Sequence, residues 1–196
     1  MASAAILLFL IMDPFGNMVT FNSLLADVDS RRRVVVILRE SVISFAILLL
    51  FLFTGGYVLA FLGLKDSTLS ISGGIILFLI ALGMVFPRKS VIAPEPGELQ
   101  GEPLVVPLAV PLIAGPSCIA ALLLMASKEP DKMMQWTLAL TLAWSVATVI
   151  LALSVPLFRF LGRRGSAAIE RLMGMLLVMI AVQMFLDGIK SYLEQA

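Results

Sequence analysis

Asp13-Pro14-Phe15-Gly16-Asn17 places a carboxylate near the middle of the first apolar segment. An ionised group at such a depth costs roughly 2.5–3.5 kcal/mol on insertion scales, so it is kept either for a functional role or as a helix cap or buried ion pair that fixes the fold. Proline breaks the helix it interrupts, and Asp followed by Pro is also how a helix begins, with Asp at the N-cap and Pro at the first position. We therefore expect two half-helices, with Asp13 capping the second and Gly16 and Asn17 in its first turn. A half-helix N-terminus offers unpaired N–H groups and a partial positive charge of roughly one half, which suits a carboxylate ligand. Gly115-Pro116-Ser117 repeats the device about one hundred residues later, behind Pro103, Pro107 and Pro111. Gly115 gives the bend, Pro116 the helix start and Ser117 a hydroxyl. Two such tips facing each other would make one small polar site at mid-depth, tolerable only where it lines a cavity or lies inside protein. Paired interruptions in corresponding halves are a sequence pointer to a transporter site. We take Asp13, Pro14, Phe15, Gly16, Asn17, Pro111, Gly115, Pro116 and Ser117 as candidate substrate-binding residues. Asp13 is also a candidate proton carrier: burial favours its neutral acid and helix N–H groups its carboxylate, which leaves its protonation open.

Other chemistries find little support. The chain has no histidine, which excludes Ser-His-Asp and Cys-His catalysis and His-ligated metal. Its single cysteine, Cys118, allows no intramolecular disulfide. An aspartyl mechanism needs two facing carboxylates, and only Asp13 is expected at mid-membrane. No Walker motif is present. We expect no enzymatic activity, no metal and no cofactor, and leave open whether H⁺ or Na⁺ is coupled. Net charge is +1, and basic residues do not alternate with aromatics, so nucleic acid is not an expected partner.

The elements that must hold these residues are membrane spans. Of the 196 residues 60% are hydrophobic and 14% charged, against about 25% charged in an ordinary globular domain. Six segments are long enough to cross roughly 30 Å of hydrocarbon: 4–26, 40–62, 68–86, 104–126, 135–158 and 167–187. The fold class expected is an all-α membrane protein with spans one and four broken. Residues 87–103, with Pro94, Pro96 and Gly97 among three glutamates, read as a cytoplasmic linker between a first three-helix repeat (1–86) and a second (104–196).

The halves look like copies. Residues 74–85 align with 174–185, with Gly74/Gly174, Leu77/Leu177, Ile80/Ile180, Ala81/Ala181 and Met84/Met184 identical. Phe61-Leu62-Gly63 recurs as Phe160-Leu161-Gly162. Three spans per copy is an odd number, so the second copy must enter the membrane from the other side as an inverted repeat. Arg31, Arg32, Arg33, Arg39, Arg88, Lys89, Arg163, Arg164 and Arg171 fall on one side and four lysines on the other. Positive-inside then puts loops one, three and five in the cytoplasm and both termini outside.

Lesser polar positions stay open between function and packing. Asn22 shares the first segment with Asn17. Arg39 and Glu40 are expected at the interface, and Trp144 and Ser145 deep in segment five. Glu170, Arg171 and Asp187 are expected at the rims of segment six, with Gln183 inside it.

Three stretches carry a resemblance: Leu10-Ile11-Met12-Asp13-Pro14-Phe15-Gly16-Asn17, the run from Val106-Pro107 through Pro111 to Gly115-Pro116, and Glu170-Arg171-Leu172-Met173-Gly174. With Ser70-Ile71-Ser72-Gly73-Gly74 they make the whole chain resemble the MarC family. That resemblance implies a bacterial inner-membrane protein of six spans. It also implies kinship with the LysE-type amino-acid exporter superfamily and with SnatA-type carriers of small neutral amino acids. The expected function is secondary transport of glycine- or alanine-like substrates by alternating access. The alternatives are a drug or metabolite exporter, which would need a larger aromatic-lined cavity, and a channel or structural membrane protein. Expected partners are the small-molecule substrate and the lipid bilayer; the oligomeric state is left open.

Overall fold

A computed structural model describes residues 1–25, 28–63, 65–86 and 113–194. The expected linker at 87–103, the start of the fourth span and Pro111 lie outside these residues. Among the described residues the chain is helical, with no strand. The elements are α1 (Ala2–Met12), α2 (Pro14–Leu24), α3 (Ser30–Leu62), α4 (Asp66–Val85), α5 (Pro116–Lys128), a 3₁₀ turn (Pro130–Lys132), α6 (Met133–Ala152) and α7 (Ser154–Glu194). Five stretches are long and apolar enough to cross a membrane: Ala2–Asn22, Arg32–Tyr57, Asp66–Val85, Pro130–Ala152 and Arg164–Glu194. They match five of the six expected spans. The fourth is represented by α5, whose 13 residues reach only about 20 Å at 1.5 Å per residue.

Two helices overrun their expected bounds. α3 begins at Ser30, so the Arg31-Arg32-Arg33 run lies in its first turns rather than in a loop. Arginine is a good helix former, and a helix need not stop where hydrocarbon stops. α7 likewise runs through the expected loop around Arg159 and Arg164, interrupted at Gly162 (φ 65°, ψ 174°). Gly63, the residue matching Gly162 in the Phe-Leu-Gly repeat, has φ 64°. Both repeats of the motif thus end in the left-handed region that glycine enters without a Cβ clash.

The tightest seam joins α4 to the later part of α7. A Cβ on Gly74 would lie 2.9 Å from the Ala181 carbonyl oxygen and 2.9 Å from the Phe185 nitrogen. A Cβ on Gly174 would lie 2.9 Å from Met84 Cβ and 3.1 Å from the Ala81 carbonyl oxygen. At positions offset by one hundred the contact is reciprocal, as across a twofold. Ser70 Oγ donates to the Met184 carbonyl across the seam (2.8 Å), and Gly188 abuts Ser67 and Ile71. Low numbers in α4 meet high numbers in α7 and the reverse, so the two helices run antiparallel. Leu77, Ala81 and Met84 are buried there, and so are Leu177, Ala181 and Met184. Lipid supplies no hydrophobic drive between helices, so small residues that let backbones approach must provide the packing. Gly83, on the same helix, has nothing within 4 Å of a built Cβ. Gly83→Ala is expected to stabilise the protein by about 0.5–1 kcal/mol through helix propensity alone. An unfolding titration in detergent checks this, and a destabilisation would contradict it.

The remaining helices close around that pair. α1 packs on α6, α3 on α5 and α6, and α2 on α6 and α7. One buried cluster runs through Leu8 and Met12 of α1, Leu48 of α3, Cys118 of α5 and Ala143 of α6. A second holds Phe21, Leu25, Val36, Ile37, Ile113 and Leu151.

Candidate functional site

Asp13 joins α1 to α2 in the left-handed region (φ 43°, ψ 63°). It is the sole non-glycine with positive φ among the described residues. Asp and Asn are among the few side chains that tolerate this conformation, which is one reason for the residue type. Its N–H closes α1 on the carbonyls of Phe9 (3.2 Å) and Leu10 (3.1 Å). Its Oδ1 accepts the Gly16 N–H at 3.2 Å, and its carbonyl accepts the Asn17 N–H at 3.0 Å. Asn17 Nδ2 donates back to the Met12 carbonyl at 2.8 Å. One residue therefore terminates a helix and caps the next. Gly16 must be small, since a Cβ there would collide with Asp13 Oδ2. Phe15 meets Phe9 edge-on, with ring centroids 6.3 Å apart, and Pro14 is buried. Glu170, expected at a rim, is half-buried on α7, and Arg171 beside it is exposed.

The second motif is the other kind of helix start. Gly115 is extended (φ −70°, ψ 156°), Pro116 is the first residue of α5, and no side chain caps the helix. The Ile119 N–H returns to the Gly115 carbonyl at 3.0 Å. Pro116 has no N–H, so the first-turn amides without an intrahelical partner belong to Ser117 and Cys118. Both residues are buried, while Pro116 is exposed. The α2 start is satisfied by its own carboxylate, whereas the α5 N-cap is a glycine with no side chain to do this.

What links the motifs is apolar packing. Met12, next to Asp13, shares a buried cluster with Ala114 and Cys118, on either side of 115–117. Ile113 belongs to the neighbouring cluster with Val36 and Ile37.

α3 holds a residue whose place the sequence obscured. Glu40 is fully buried, as are Ser41 and Ser44. Arg39 donates to Glu40 Oε1 through Nε at 2.9 Å, and its Nη2 lies 2.9 Å from the same oxygen. The Ser41 carbonyl accepts Trp144 Nε1 at 2.7 Å and Ser44 Oγ at 2.8 Å. The Trp144 ring lies over Phe45, with centroids 4.5 Å apart. A charged pair beside an apolar run reads as an interface marker. Yet Val36, Ile37, Glu40, Ser41, Ser44 and Leu48 form one buried stripe at helical spacing. That periodicity was the available signal.

Other polar candidates make hydrogen bonds within or between helices. Asn22 Nδ2 donates to the Ser154 carbonyl at 3.3 Å, and Ser154 Oγ returns to Asn22 Oδ1 at 3.4 Å, tying α2 to α7. Ser145 Oγ bonds within α6, to the Thr141 carbonyl at 2.6 Å. Gln183 Nε2 reaches Asp187 Oδ1 at 2.8 Å on an exposed face of α7. A groove of about 300 Å³ lies along the α4–α7 seam by Ile75, Phe78 and Val182. Its apolar lining offers nothing to a charged ligand.

The sequence model described as "MarC family integral membrane protein" matches residues 1–193. The UPF0056 inner membrane protein YhgN of Escherichia coli (strain K12) is 49% identical over 197 residues, covering 98% of this chain and 97% of that protein. A UPF0056 membrane protein of Buchnera aphidicola subsp. Baizongia pistaciae is 47% identical over 192 residues, covering 97% and 96%. One from Aquifex aeolicus is 32% identical over 194 residues, covering 95% and 91%. No solved structure matches.

Proposed function

Because this chain belongs to the MarC family of integral membrane proteins, we propose that it is a secondary transporter of small neutral amino acids of the glycine and alanine type. The observation that carries the reading is the uncapped start of α5, packed into the same core as the α1–α2 junction at Asp13. A helix N-terminus whose N-cap has no side chain of its own suits an anion, and a substrate carboxylate is the anion we assign to it. The junction at Asp13 and the start of α5 are the breaks in spans one and four. Residues 1–86 and 104–196 are inverted three-span repeats joined by a cytoplasmic linker. The reciprocal glycine contacts between antiparallel α4 and α7 support this arrangement. Rocking of one repeat against the other exposes the site alternately, and Asp13 carries the coupling proton. The protein resides in the inner membrane, as the name of its E. coli relative suggests, with both termini periplasmic. Its work is binding and movement rather than bond breaking, and it needs no cofactor.

Uptake of labelled glycine and alanine into proteoliposomes, with and without imposed proton and sodium gradients, tests the reading. Saturable uptake driven by one gradient is expected. Folded protein that takes up neither substrate under any gradient would sink it. The topology has a separate check. Reporters fused at Ala196 and inserted in 87–103 are expected on opposite sides of the membrane, and finding both on one side would end the inverted-repeat reading.

A further inference from the structure

The groove on the α4–α7 seam carries no charge of its own. Its walls are Ile75, Phe78 and Leu79 on α4 and Val182 and Phe185 on α7. Ile75, Leu79 and Val182 are exposed, so a membrane-spanning chain turns this groove toward lipid.

One end of the groove leads to arginine. Beyond the interruption at Gly162, α7 runs on as one helix. At 3.6 residues per turn Val182 and Arg171 stand three turns apart on one face, about 16 Å along the axis. Arg164 lies two turns further out on that face, roughly 10 Å beyond Arg171. On α4, Leu82 and Phe86 continue the stripe of Ile75 and Leu79 toward the same end, since Gly174 abuts Ala81, Met84 and Val85. The way along α4 is open, with nothing within 4 Å of a Cβ built on Gly83. Arg164 and Arg171 are both exposed, and among the described residues neither joins an ion pair. Glu170 is half-buried and sits more than a quarter-turn round the helix from Arg171.

The spacing matches a bilayer. The step from Val182 to Arg171 is about one leaflet of a hydrocarbon core roughly 30 Å thick. With Val182 near the midplane, Arg171 stands at the base of the headgroups and Arg164 among them, where a guanidinium on an apolar stem is at home. A cationic face one leaflet above an apolar groove suits a molecule with an anion at one end and a hydrocarbon tail at the other.

We propose that the α4–α7 groove and the Arg164–Arg171 face together bind one anionic phospholipid, its phosphate at the two arginines and one acyl chain laid along the groove. Charge selects this occupant. A zwitterionic lipid fills the groove but brings no net charge to the arginines. A second copy of the chain, docked by this face about a twofold along the membrane normal, would set its own arginines opposite these at the same depth. The site is separate from the one assigned to substrate and does not depend on the transport reading. A lipid held there by the native fold alone stabilises that fold by mass action, and it does so at the glycine seam.

Native mass spectrometry of the detergent-purified chain tests the assignment, with phosphatidylglycerol and phosphatidylcholine of identical acyl chains as the probes. The parent is expected to hold one phosphatidylglycerol at least about tenfold more tightly than phosphatidylcholine, since each arginine near the headgroups contributes roughly fivefold. Arg164→Gln with Arg171→Gln should bring the two lipids to equal affinity. Val182→Phe, which fills the groove, should weaken both lipids and keep the preference. A parent that does not discriminate, or a preference that persists without the arginines, overturns the proposal. So does Val182→Phe binding as tightly as the parent. A dimer that Val182→Phe dissociates would give the groove to a second copy and end the proposal as well. Should Val182→Phe fail to fold, Leu79→Trp closes the same groove from the facing helix and is read in the same way.

Discussion

Gly74→Val is expected to cost the protein about 3 kcal/mol or more, the upper part of the range for overpacking, and in a marginal membrane fold that means loss of the native state. The reason lies in what the new side chain would meet. A Cβ at Gly74 comes 2.9 Å from both a carbonyl oxygen and an amide nitrogen of α7. A flexible side chain can swing away, but backbone cannot, so the two helices would have to part along the seam. The reciprocal change, Gly174→Val, meets Met84 Cβ and the Ala81 carbonyl oxygen and should behave alike. Gly83→Val is the comparison, because that position is open. Unfolding titrations of the three variants in one detergent decide it. Similar stability for Gly74→Val and Gly83→Val would mean that the seam does not hold the protein together.

Asp13→Asn should produce the largest functional change with the smallest structural one. Asn tolerates the left-handed backbone that Asp13 adopts, and its side-chain oxygen can still accept the Gly16 N–H. Only the ionisable proton is removed. One proton per turnover across one pH unit is worth about 1.4 kcal/mol, a tenfold accumulation. The variant should lose that tenfold in proteoliposomes carrying a proton gradient while retaining glycine binding and exchange. Asp13→Ala would also lose the cap, about 1 kcal/mol, and strain the backbone by roughly 1–2 kcal/mol more. Its defect should therefore appear in stability as well. Proton-driven accumulation that survives in Asp13→Asn would reduce Asp13 to a helix cap.

Much of this was legible in the residues. Asp-Pro predicts a helix boundary because proline lacks a donor and Asp supplies an acceptor, and the junction at Asp13 does both. The glycine, leucine, alanine and methionine of residues 74–85 and 174–185 marked one seam in two copies because lipid-embedded packing selects small residues wherever backbones touch. The length of α3 was not legible. Hydropathy sees where hydrocarbon begins, while helix formation follows propensity, and arginines satisfy both on the water side. Glu40 was obscured for a related reason. Next to Arg39 at the edge of an apolar run it looked solvated, and only its register on the buried stripe shows otherwise. The packing of α2 against α7 was not legible either, because one sequence does not encode it locally.

α3 and α4 differ in length, so a change in bilayer thickness bears on the shorter of them. The 33 residues of α3 extend about 50 Å, while the 20 of α4 extend about 30 Å. Even tilted by about 40°, near the limit for membrane helices, α3 reaches roughly 38 Å along the normal and overshoots the acyl region. A thicker membrane only draws more of α3 inward, but it leaves α4 short and loads the glycine seam that α4 shares with α7. Lengthening the lipid chains should therefore be felt first at that seam.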